Sequence, residues 1–430
     1  MLSNTVWTCR SLSRLAAALL LSTAALSASA GELALTLERA WQLAEQANPS
    51  LKTAQANLAA AQGQLTDSQS LLWNNPQLFA DTARRTIPQP GQSAFRTHDL
   101  KLGLGQTFEI AGQQGYRREA AQQELAAMRD GIEETRRQLR GAVEQRFVRV
   151  LALQLRIATE EAALKLFEDA AAVVRKQATA GEASRLDGNL ALVEAERARN
   201  QRAALNEQLT EARAELAALL QLPPATLPEV SGDLAPLTSF PSLDVLLSSV
   251  DKRPLLRSLD LREKAARSRL DLERASVNPD VTVGLSYGAE GGIDGSDKLT
   301  TLSISVPLPL FRRNATGIGR ATTELTQTQI EKQAAGRDAR GQVVALWQKR
   351  ESLRGRVERL EQVMLARLDE NQRLSEKARR EGEIGLLQLI VVNRQVLEGR
   401  RDLLDARTEF RLATVALKAA AGWFGPEDNR

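Results

Sequence analysis

The clearest pattern of hydrophobic and polar positions lies between His98 and Arg118, where a two-residue period gives way to a helical one. From Leu100 to Ile110 every second residue is leucine, glutamine, phenylalanine or isoleucine, and the residues between them are polar or small. Successive side chains of a β-strand point to opposite faces. The segment therefore predicts a strand with one apolar and one polar face, followed after Gly112 by a helix.

Two long segments without proline follow the strand patterns, at 112–222 and 310–425. In the first of them the apolar residues are separated by three, four or seven positions, as in a coiled coil. A helix from about Tyr116 to about Thr179 would be roughly 100 Å long at 1.5 Å per residue. The sequence thus predicts two projecting helical hairpins, which turn back at Gly181 and Gly382 because glycine readily closes a helix.

The chain carries this pattern twice, about two hundred residues apart, and such repetition indicates two structural repeats. The matching pairs are Asn75-Pro76 with Asn278-Pro279, Leu102 to Ile110 with Leu302 to Leu310, and Gly181-Glu182 with Gly382-Glu383. We therefore divide the chain into a first repeat at 31–221, a proline-rich linker at 222–241 and a second repeat at 242–430.

Each repeat is predicted to contain short helices, a β-hairpin and a helical hairpin. The predicted β-hairpins cover about 76–110 and about 279–310, and the helical hairpins cover about 115–221 and about 313–422. We expect a loop from Ile87 to the residue before His98 in the first β-hairpin. We expect a second loop at Gly288–Lys298, whose glycines and acids fit no EF-hand spacing.

The first thirty residues have the features of a cleaved signal peptide. Arg10 and Arg14 precede an apolar segment, and small residues suited to cleavage stand at 27–30. That segment is too short to span a membrane, and no later segment supplies about twenty consecutive apolar residues. Cys9, the only cysteine, lies ahead of the apolar segment. We therefore expect an exported chain that is not a lipoprotein and has neither a disulfide nor a thiolate metal site.

Composition and charge narrow the class of protein. Hydrophobic residues make up 43% of the chain but aromatic residues only 4%, which is typical of long packed helices. The net charge is +4, and basic and acidic residues alternate along the chain, so the charge pattern does not indicate nucleic-acid binding.

The sequence offers no catalytic constellation. It contains no Walker loop, HExxH motif or GxSxG motif, and His98 is the single histidine. Histidine is the usual acid, base or metal ligand at neutral pH. We therefore predict no enzyme activity, no catalytic residue, no cofactor and no resident metal.

Two β-hairpins supply four strands, and an open four-stranded sheet would leave unpaired backbone groups in lipid. Three copies would supply twelve strands, enough to close a barrel whose polar face lines a water-filled pore. We therefore predict a homotrimer. The residues expected to face the lumen are Lys101, Thr107, Glu109, Thr282, Ser286, Ser303 and Ser305.

Several distributed motifs together resemble the TolC-type outer-membrane efflux channels over essentially the whole mature chain. These motifs are Leu35 to Ala40, Asn48-Pro49, Gln106 to Glu109 with Gly112, and the two turns Gly181 to Asp187 and Gly382 to Gln388. Gln106 to Arg118 is further similar to the cobalt-zinc-cadmium efflux subgroup. That subgroup usually has Gly-Gly-Lys-Arg where this chain has Ala-Gly-Gln-Gln at 111–114.

The resemblance implies a mainly α-helical protein whose trimer forms a twelve-stranded outer-membrane barrel and a periplasmic helical tunnel. It implies docking through a periplasmic membrane-fusion adaptor onto an inner-membrane pump of the resistance-nodulation-division class. The implied function is passive export of divalent cations such as cobalt, zinc, cadmium or nickel. One alternative is the same channel exporting drugs or other organic compounds, and another is a periplasmic coiled-coil scaffold without a pore.

The two helical turns are the expected sites of adaptor docking and cation selection. The docking candidates are Gly181, Ser184, Leu186, Gly382, Gly385 and Leu387. The candidate pore-mouth acids are Glu182, Asp187, Glu381 and Glu383, because rings of carboxylates favour cations. A purely structural alternative is that acids are common at exposed turns and at helix N-termini.

Overall fold

The computed structural model describes residues 34–181, 184–234, 240–293 and 295–423. The helices in chain order are α1 (Leu37–Ala47), α2 (Pro49–Ser68), α3 (Gln113–Thr179), α4 (Arg185–Leu220), α5 (Leu243–Val250), α6 (Pro254–Ala275), α7 (Ala315–Arg359), α8 (Ala366–Arg380) and α9 (Leu386–Ala421). The strands are β1 (Gln77–Gln89), β2 (Gln92–Phe108), β3 (Val281–Gly292) and β4 (Gly295–Ser305). The expected signal peptide at 1–30, with Cys9, lies outside the described residues.

The four strands form one antiparallel sheet in the order β1-β2-β3-β4. The two β-hairpins join through β2 and β3, where Leu102 pairs with Tyr287 and Leu104 pairs with Leu285. β1 and β4 are consequently the outer strands of the sheet. Each of them has one side that no other described strand pairs with.

Both hairpins extend further toward their turns than the sequence predicted. β1 and β2 are separated only by Pro90 and Gly91, and Gly91 has a φ of +77° that suits glycine in a tight turn. In the second hairpin β3 reaches Gly292, which pairs with Gly295. The two expected loops are therefore wrong for most of their length, because cross-strand pairing extends regular structure through polar and glycine-rich sequence.

Near the sheet, the helices follow the same order as the strands to which they connect. α2 packs against α3, α3 against α6, and α6 against α7. Farther from the sheet, α4 packs against α3, α3 against α9, and α9 against α7 and α8. At about 1.5 Å per residue, the 67-residue α3 is roughly 100 Å long. Within the described residues, no helix is both long and apolar enough to cross a membrane.

The linker between the repeats is anchored rather than free. Leu35 pairs with Val230 in a short parallel bridge, in which the Leu35 amide donates to the Glu229 carbonyl at 2.7 Å. Val230 and Leu234 are buried in a core that α1, α2, α3 and α4 share. The described part of the linker thus ties the residues just before α1 to the helical body.

α9 carries large and small residues in alternation where it packs on α7 and α8. Leu403, Phe410 and Leu417 are buried along one side, together with small residues such as Ala406. At Gly399 an added Cβ would lie 2.4 Å from a Leu368 methyl group. The chain facing this region forms a π-helical turn, Leu360–Leu365, between α7 and α8.

Candidate functional site: the sheet faces and the helical tips

One face of the sheet is lined by polar and small residues that lie in register across the strands. Lys101, Thr107, Thr282, Ser286, Ser303 and Ser305 all lie on this polar face. Thr107 and Thr282 pair directly, and their hydroxyl oxygens are 2.9 Å apart. The alternation in the sequence is thus reproduced by the strand register, with the same residues on the same side.

Glycines bring the strands of the polar face close to neighbouring side chains. Gly103 pairs with Phe79 on one side and with Ser286 on the other. A Cβ at Gly103 would lie 2.4 Å from the Phe79 ring. Glycine at this position therefore lets the aromatic ring lie over the polar face without a clash.

Charged residues of the polar face gather toward the hairpin turns. The Arg85 guanidinium lies 3.0 Å from both the Asp99 and the Glu290 carboxylates. Asp81 and Lys101 are paired positions nearby. With Asp297, which pairs with Glu290, the described strands place four carboxylates and two cations on this face, a net charge of −2 per chain.

The opposite face is apolar and exposed in the single chain. Leu302 and Ile304 are each 68% exposed, and Leu102, Leu104, Leu285 and Tyr287 on the same face are also exposed. A continuous apolar face of this kind on a water-soluble protein would be covered by other elements. The described chain supplies no such cover for these residues.

Glu109 does not lie in the strand, which ends at Phe108 rather than at Ile110. Its carboxylate accepts two hydrogen bonds from the Arg117 guanidinium, at 2.8 and 2.9 Å. Arg117 in turn lies 3.8 Å from the centre of the Trp73 ring. Among the expected lumen residues, Glu109 is therefore corrected to a residue of the junction between strand and helix.

Both tip glycines adopt the left-handed backbone conformation predicted for them, with φ of +81° at Gly181 and +78° at Gly382. After α8, the Gly382 amide donates to the Arg379 carbonyl, and the Glu383 amide donates to the Ala378 carbonyl. This pair of bonds is the Schellman arrangement that satisfies carbonyls at a helix end. Glycine closes each helix because a side chain there would strain the backbone.

The remaining tip residues have the following positions. Ser184 caps α4, its hydroxyl accepts a hydrogen bond from the Asp187 amide at 3.1 Å, and the Asp187 carboxylate accepts one from the Ser184 amide at 3.2 Å. Leu186 is 65% exposed, Gly385 caps α9, and Glu381 and Glu383 are exposed. Glu182 and the side chain of Leu387 lie outside the described part of the structure. Asp187 thus also has a local structural role in starting α4.

A buried ionic cluster holds the C-terminal end of α9, and the sequence analysis missed it. The Arg253 guanidinium donates to the Ala420 carbonyl at 3.1 Å, and Arg137 donates to the Ala419 carbonyl. Glu134 accepts a hydrogen bond from Arg137 at 2.7 Å and is only 5% exposed. Positive charge at a helix C-terminus offsets the helix dipole. The cluster therefore fixes the end of α9 against α3 and α6.

Glu134 gives the cluster a defined pH dependence. Burial opposes the charged form, but the hydrogen bond and positive charge of Arg137 outweigh it and hold the pKa of Glu134 below its ordinary value. The stabilisation should be complete above about pH 4.3, the ordinary glutamate pKa, and should be lost as the pH falls further. Glu134→Gln should lower the thermal midpoint at pH 7, and its difference from the wild type should shrink below about pH 4.

The control for this prediction is Glu133→Gln. Glu133 also pairs with an arginine, Arg136, but its side chain is 47% exposed. Exposed ion pairs contribute roughly 0 to 1 kcal/mol. A circular-dichroism melting series from pH 7 to pH 3.5 should therefore leave the control close to the wild type. A Glu134→Gln difference that is constant over this range would contradict the assignment of the titrating group.

Among the described residues, no group of three or more histidine, cysteine, aspartate or glutamate residues is arranged to hold a metal ion. The carboxylates of the polar face are instead spread along strands or paired with Arg85.

Comparison with known proteins agrees with this geometry. The profile of the family described as outer membrane efflux protein matches residues 40–221 and 246–423. The cobalt-zinc-cadmium resistance protein CzcC of Cupriavidus metallidurans is 25% identical over 297 residues, which cover 69% of this chain and 68% of that protein. The nickel-cobalt-cadmium resistance protein NccC of Alcaligenes xylosoxydans is 25% identical over 304 residues, with the same coverage.

A solved membrane protein from Pseudomonas aeruginosa has the same fold, with a TM-score of 0.75 and 19% sequence identity. The match covers 90% of this chain and 92% of that protein. The two segments matched by the family profile together cover most of the chain. On these grounds, the chain belongs to the outer membrane efflux protein family.

Proposed function

We propose that three copies of this chain form a passive outer-membrane conduit that exports divalent heavy-metal cations. The conduit would work with a periplasmic adaptor and an inner-membrane pump of the resistance-nodulation-division class. A cleaved signal peptide, without lipid attachment, would direct the chain through the inner membrane. The chain itself would supply a path and no catalysis.

The observation that carries the proposal is the four-stranded sheet with two open sides and two unlike faces. β1 and β4 must be paired if the sheet is to lie in lipid. Three copies give twelve strands, and in a closed barrel one face of the sheet contacts lipid while the other faces the lumen. Ile304 and its apolar neighbours would contact lipid, while Ser303 and its polar neighbours would line the lumen.

Cation export is supported by the charge of the polar face and by the relatives. A net charge of −2 per chain would become −6 around a trimeric lumen. Carboxylates that line a narrow passage raise the local concentration of cations. Two of the relatives are named for resistance to cobalt and cadmium, and one each for zinc and nickel. The lumen would conduct the metal as a hydrated ion.

The helical tips are proposed as the place where the adaptor docks. In each repeat a left-handed glycine is followed five residues later by a leucine, Leu186 in the first turn and Leu387 in the second. The exposed Leu186 would contact the adaptor. Glu182, Asp187, Glu381 and Glu383 would surround the mouth of the tunnel at the same end.

Gly382→Val should weaken adaptor docking and metal efflux while the sheet still assembles. The φ of +78° is unfavourable for a β-branched residue, at a cost of about 1 to 2 kcal/mol. No atom lies within 4 Å of an added Cβ, so the effect should come from the backbone of the turn alone. The measurements are trimer yield from the membrane, co-purification of the adaptor, and cellular resistance to zinc, cobalt or cadmium.

Gly341→Val is the matched control for this prediction. Gly341 also has open space around an added Cβ, but it lies inside α7, away from both turns, and its φ is not positive. The control should keep adaptor binding and resistance. Normal docking and export by Gly382→Val would mean that the conformation of this turn is not needed for docking.

The cargo is tested by deleting the gene in its own host and restoring it on a plasmid. The proposal predicts that the deletion lowers the highest concentration of zinc, cobalt, cadmium or nickel at which the cells grow, and that the plasmid restores it. The highest tolerated concentration of organic toxins should not change. If the deletion strain becomes sensitive to organic compounds alone, the cargo is organic and not a metal cation. Loss of the protein from the membrane fraction after an alkaline wash would instead favour the scaffold interpretation.

A further inference from the structure

A cluster of cationic residues lies on the apolar face of the sheet, on the side nearer the hairpin turns. It consists of Arg84, Arg96, His98 and Lys298, and we refer to these four residues as the hairpin-end collar. Arg84 pairs with His98 across β1 and β2, and Arg96 pairs with Thr86 in the same alternation. Lys298 pairs with Ala289, which also pairs with Leu100, so Lys298 shares this face.

The four side chains have no partner within the described part of the chain. All are exposed, and none forms an ion pair or a side-chain hydrogen bond there. Arg85 differs from them, because it lies on the opposite face and is held by Asp99 and Glu290. The collar therefore presents free cationic groups outward.

Within the described strands, acidic residues are confined to the polar face of the sheet. The described strands place no aspartate or glutamate on the apolar face, whereas they place four on the polar face. A surface that faces water ordinarily mixes charges of both signs. A face with cations only is complementary to an anionic partner.

The collar lies at one edge of an apolar band whose height matches a membrane. From His98 to Phe108, ten residues at about 3.4 Å each extend roughly 34 Å along the strand. A strand tilt of about 40° reduces this to roughly 26 Å, close to the roughly 25 Å band of outer-membrane barrels. At the other end of the band, Phe311, Arg312 and Arg313 are exposed beside the start of α7.

We propose that the hairpin-end collar binds the phosphate groups of the phosphorylated glycolipid in the outer leaflet of the outer membrane. This inference rests on the proposed membrane placement, in which the helices project into the periplasm and the hairpin turns point outward. Arginine binds phosphate through two parallel hydrogen bonds, and its long stem can lie along apolar surface. Several cations per chain suit a headgroup that carries more than one phosphate.

The test uses purified full-length protein in nanodiscs that contain bisphosphorylated lipid A, with retained lipid counted by native mass spectrometry. The variant is Arg84→Gln with Arg96→Gln. Its matched control is Arg312→Gln with Arg313→Gln, which removes the same charge at the other end of the band. Each cationic side chain that is lost near a membrane surface weakens the binding of an anionic lipid about fivefold. Since the collar variant loses two such charges, its affinity for lipid A should fall about thirtyfold. The control should match the wild type.

Three results would overturn the proposal. The first is that the collar variant retains as much lipid A as the wild type. The second is that the wild type retains as much lipid A without its phosphates as lipid A with them. The third is that the wild type retains as much phosphatidylglycerol as lipid A. The last result would mean that any anionic lipid suffices. The readout is independent of cargo and adaptor, because it counts lipid bound to purified protein. A failure of metal export would therefore not be confused with a failure of the collar.

Discussion

Ile304→Arg should prevent the protein from accumulating as an assembled trimer in the outer membrane, whereas Ser303→Arg should not. Ile304 is 68% exposed on the apolar face and pairs with Val283. An arginine on the lipid face costs about 2 to 4 kcal/mol at the middle of the bilayer and less toward either edge. Ile304 lies level with Gln106, between the middle of the band and its edge at Phe108, so the cost at Ile304 is lower than at the middle. Since each trimer would carry three such residues, the cost is incurred three times in one assembly.

Ser303 is the matched position because it is the next residue on the same strand and lies on the opposite face. It pairs with Gly284, whose missing side chain leaves room beside it. The Ser303→Arg protein should assemble, and its arginine should alter single-channel conductance by adding charge to the lumen. Trimer yield in mild detergent and planar-bilayer recording are the measurements. Equal assembly defects in the two variants would show that the two faces do not lie in different environments, and a larger defect in Ser303→Arg would show that the faces have been assigned the wrong way round.

Glu160→Leu should destabilise the helical body by about 3 kcal/mol per chain, since it would leave the partly buried Arg401 unpaired. Glu160 is 0% exposed. It accepts a hydrogen bond from Arg401 of α9 at 2.6 Å and lies 3.3 Å from Arg156 of α3. The ion pair thus links the two long helices that come from different repeats. The thermal midpoint of the helical signal in circular dichroism should fall clearly.

Two further variants separate the ion pair from simple loss of packing. Glu160→Leu combined with Arg401→Met removes both partners and should recover part of the lost stability, because one unpaired cation is then absent. Glu215→Leu breaks an exposed pair with Arg149 and should cost at most about 1 kcal/mol. No recovery in the double variant would indicate that packing around Glu160 matters more than its charge.

The sequence was sufficient to predict the repeat, the two faces of the strands and the turns of the helical hairpins. These features depend on local rules, since side chains alternate along a strand and glycine closes a helix. Leu102 and Gly103 lie on opposite faces as their alternation indicates. Gly181 and Gly382 both have the positive φ expected of such turns.

The ends of the strands could not be placed from the sequence, because pairing with a neighbour overrides weak local preference. Gly288 and Gly291 lie in β3 although glycine disfavours strands, since β3 pairs with both β2 and β4 at Gly288 and with β4 at Gly291. The hairpin-end collar depends on this extension. The alternation predicts a strand from His98, but β2 begins at Gln92, and the extra residues place Arg96 on the apolar face.

The buried ionic clusters were missed for a different reason. Glu134 and Glu160 occur in helices rich in charged residues, where nothing in the local sequence separates a buried acid from an exposed one. Their partners Arg253 and Arg401 are more than a hundred residues away in the chain. Only the packing of the second repeat against the first identifies them.

Closure of the sheet by other copies of the chain is tested most directly by disulfides between its two open sides. In a Cys9→Ser background, Ala80→Cys on β1 is combined in turn with Lys298→Cys, Thr300→Cys and Leu302→Cys on β4, all on the apolar face. Leu102→Cys on the interior strand β2, combined with Thr300→Cys, is the control and should form no bond between chains.

Oxidation in membranes followed by denaturing electrophoresis then reports how many chains are joined. If three copies close the sheet, one of the three pairings should give species of one, two and three chains and nothing larger. Absence of any link between chains in all three pairings, or a ladder that continues beyond three chains, would contradict the closed trimeric conduit.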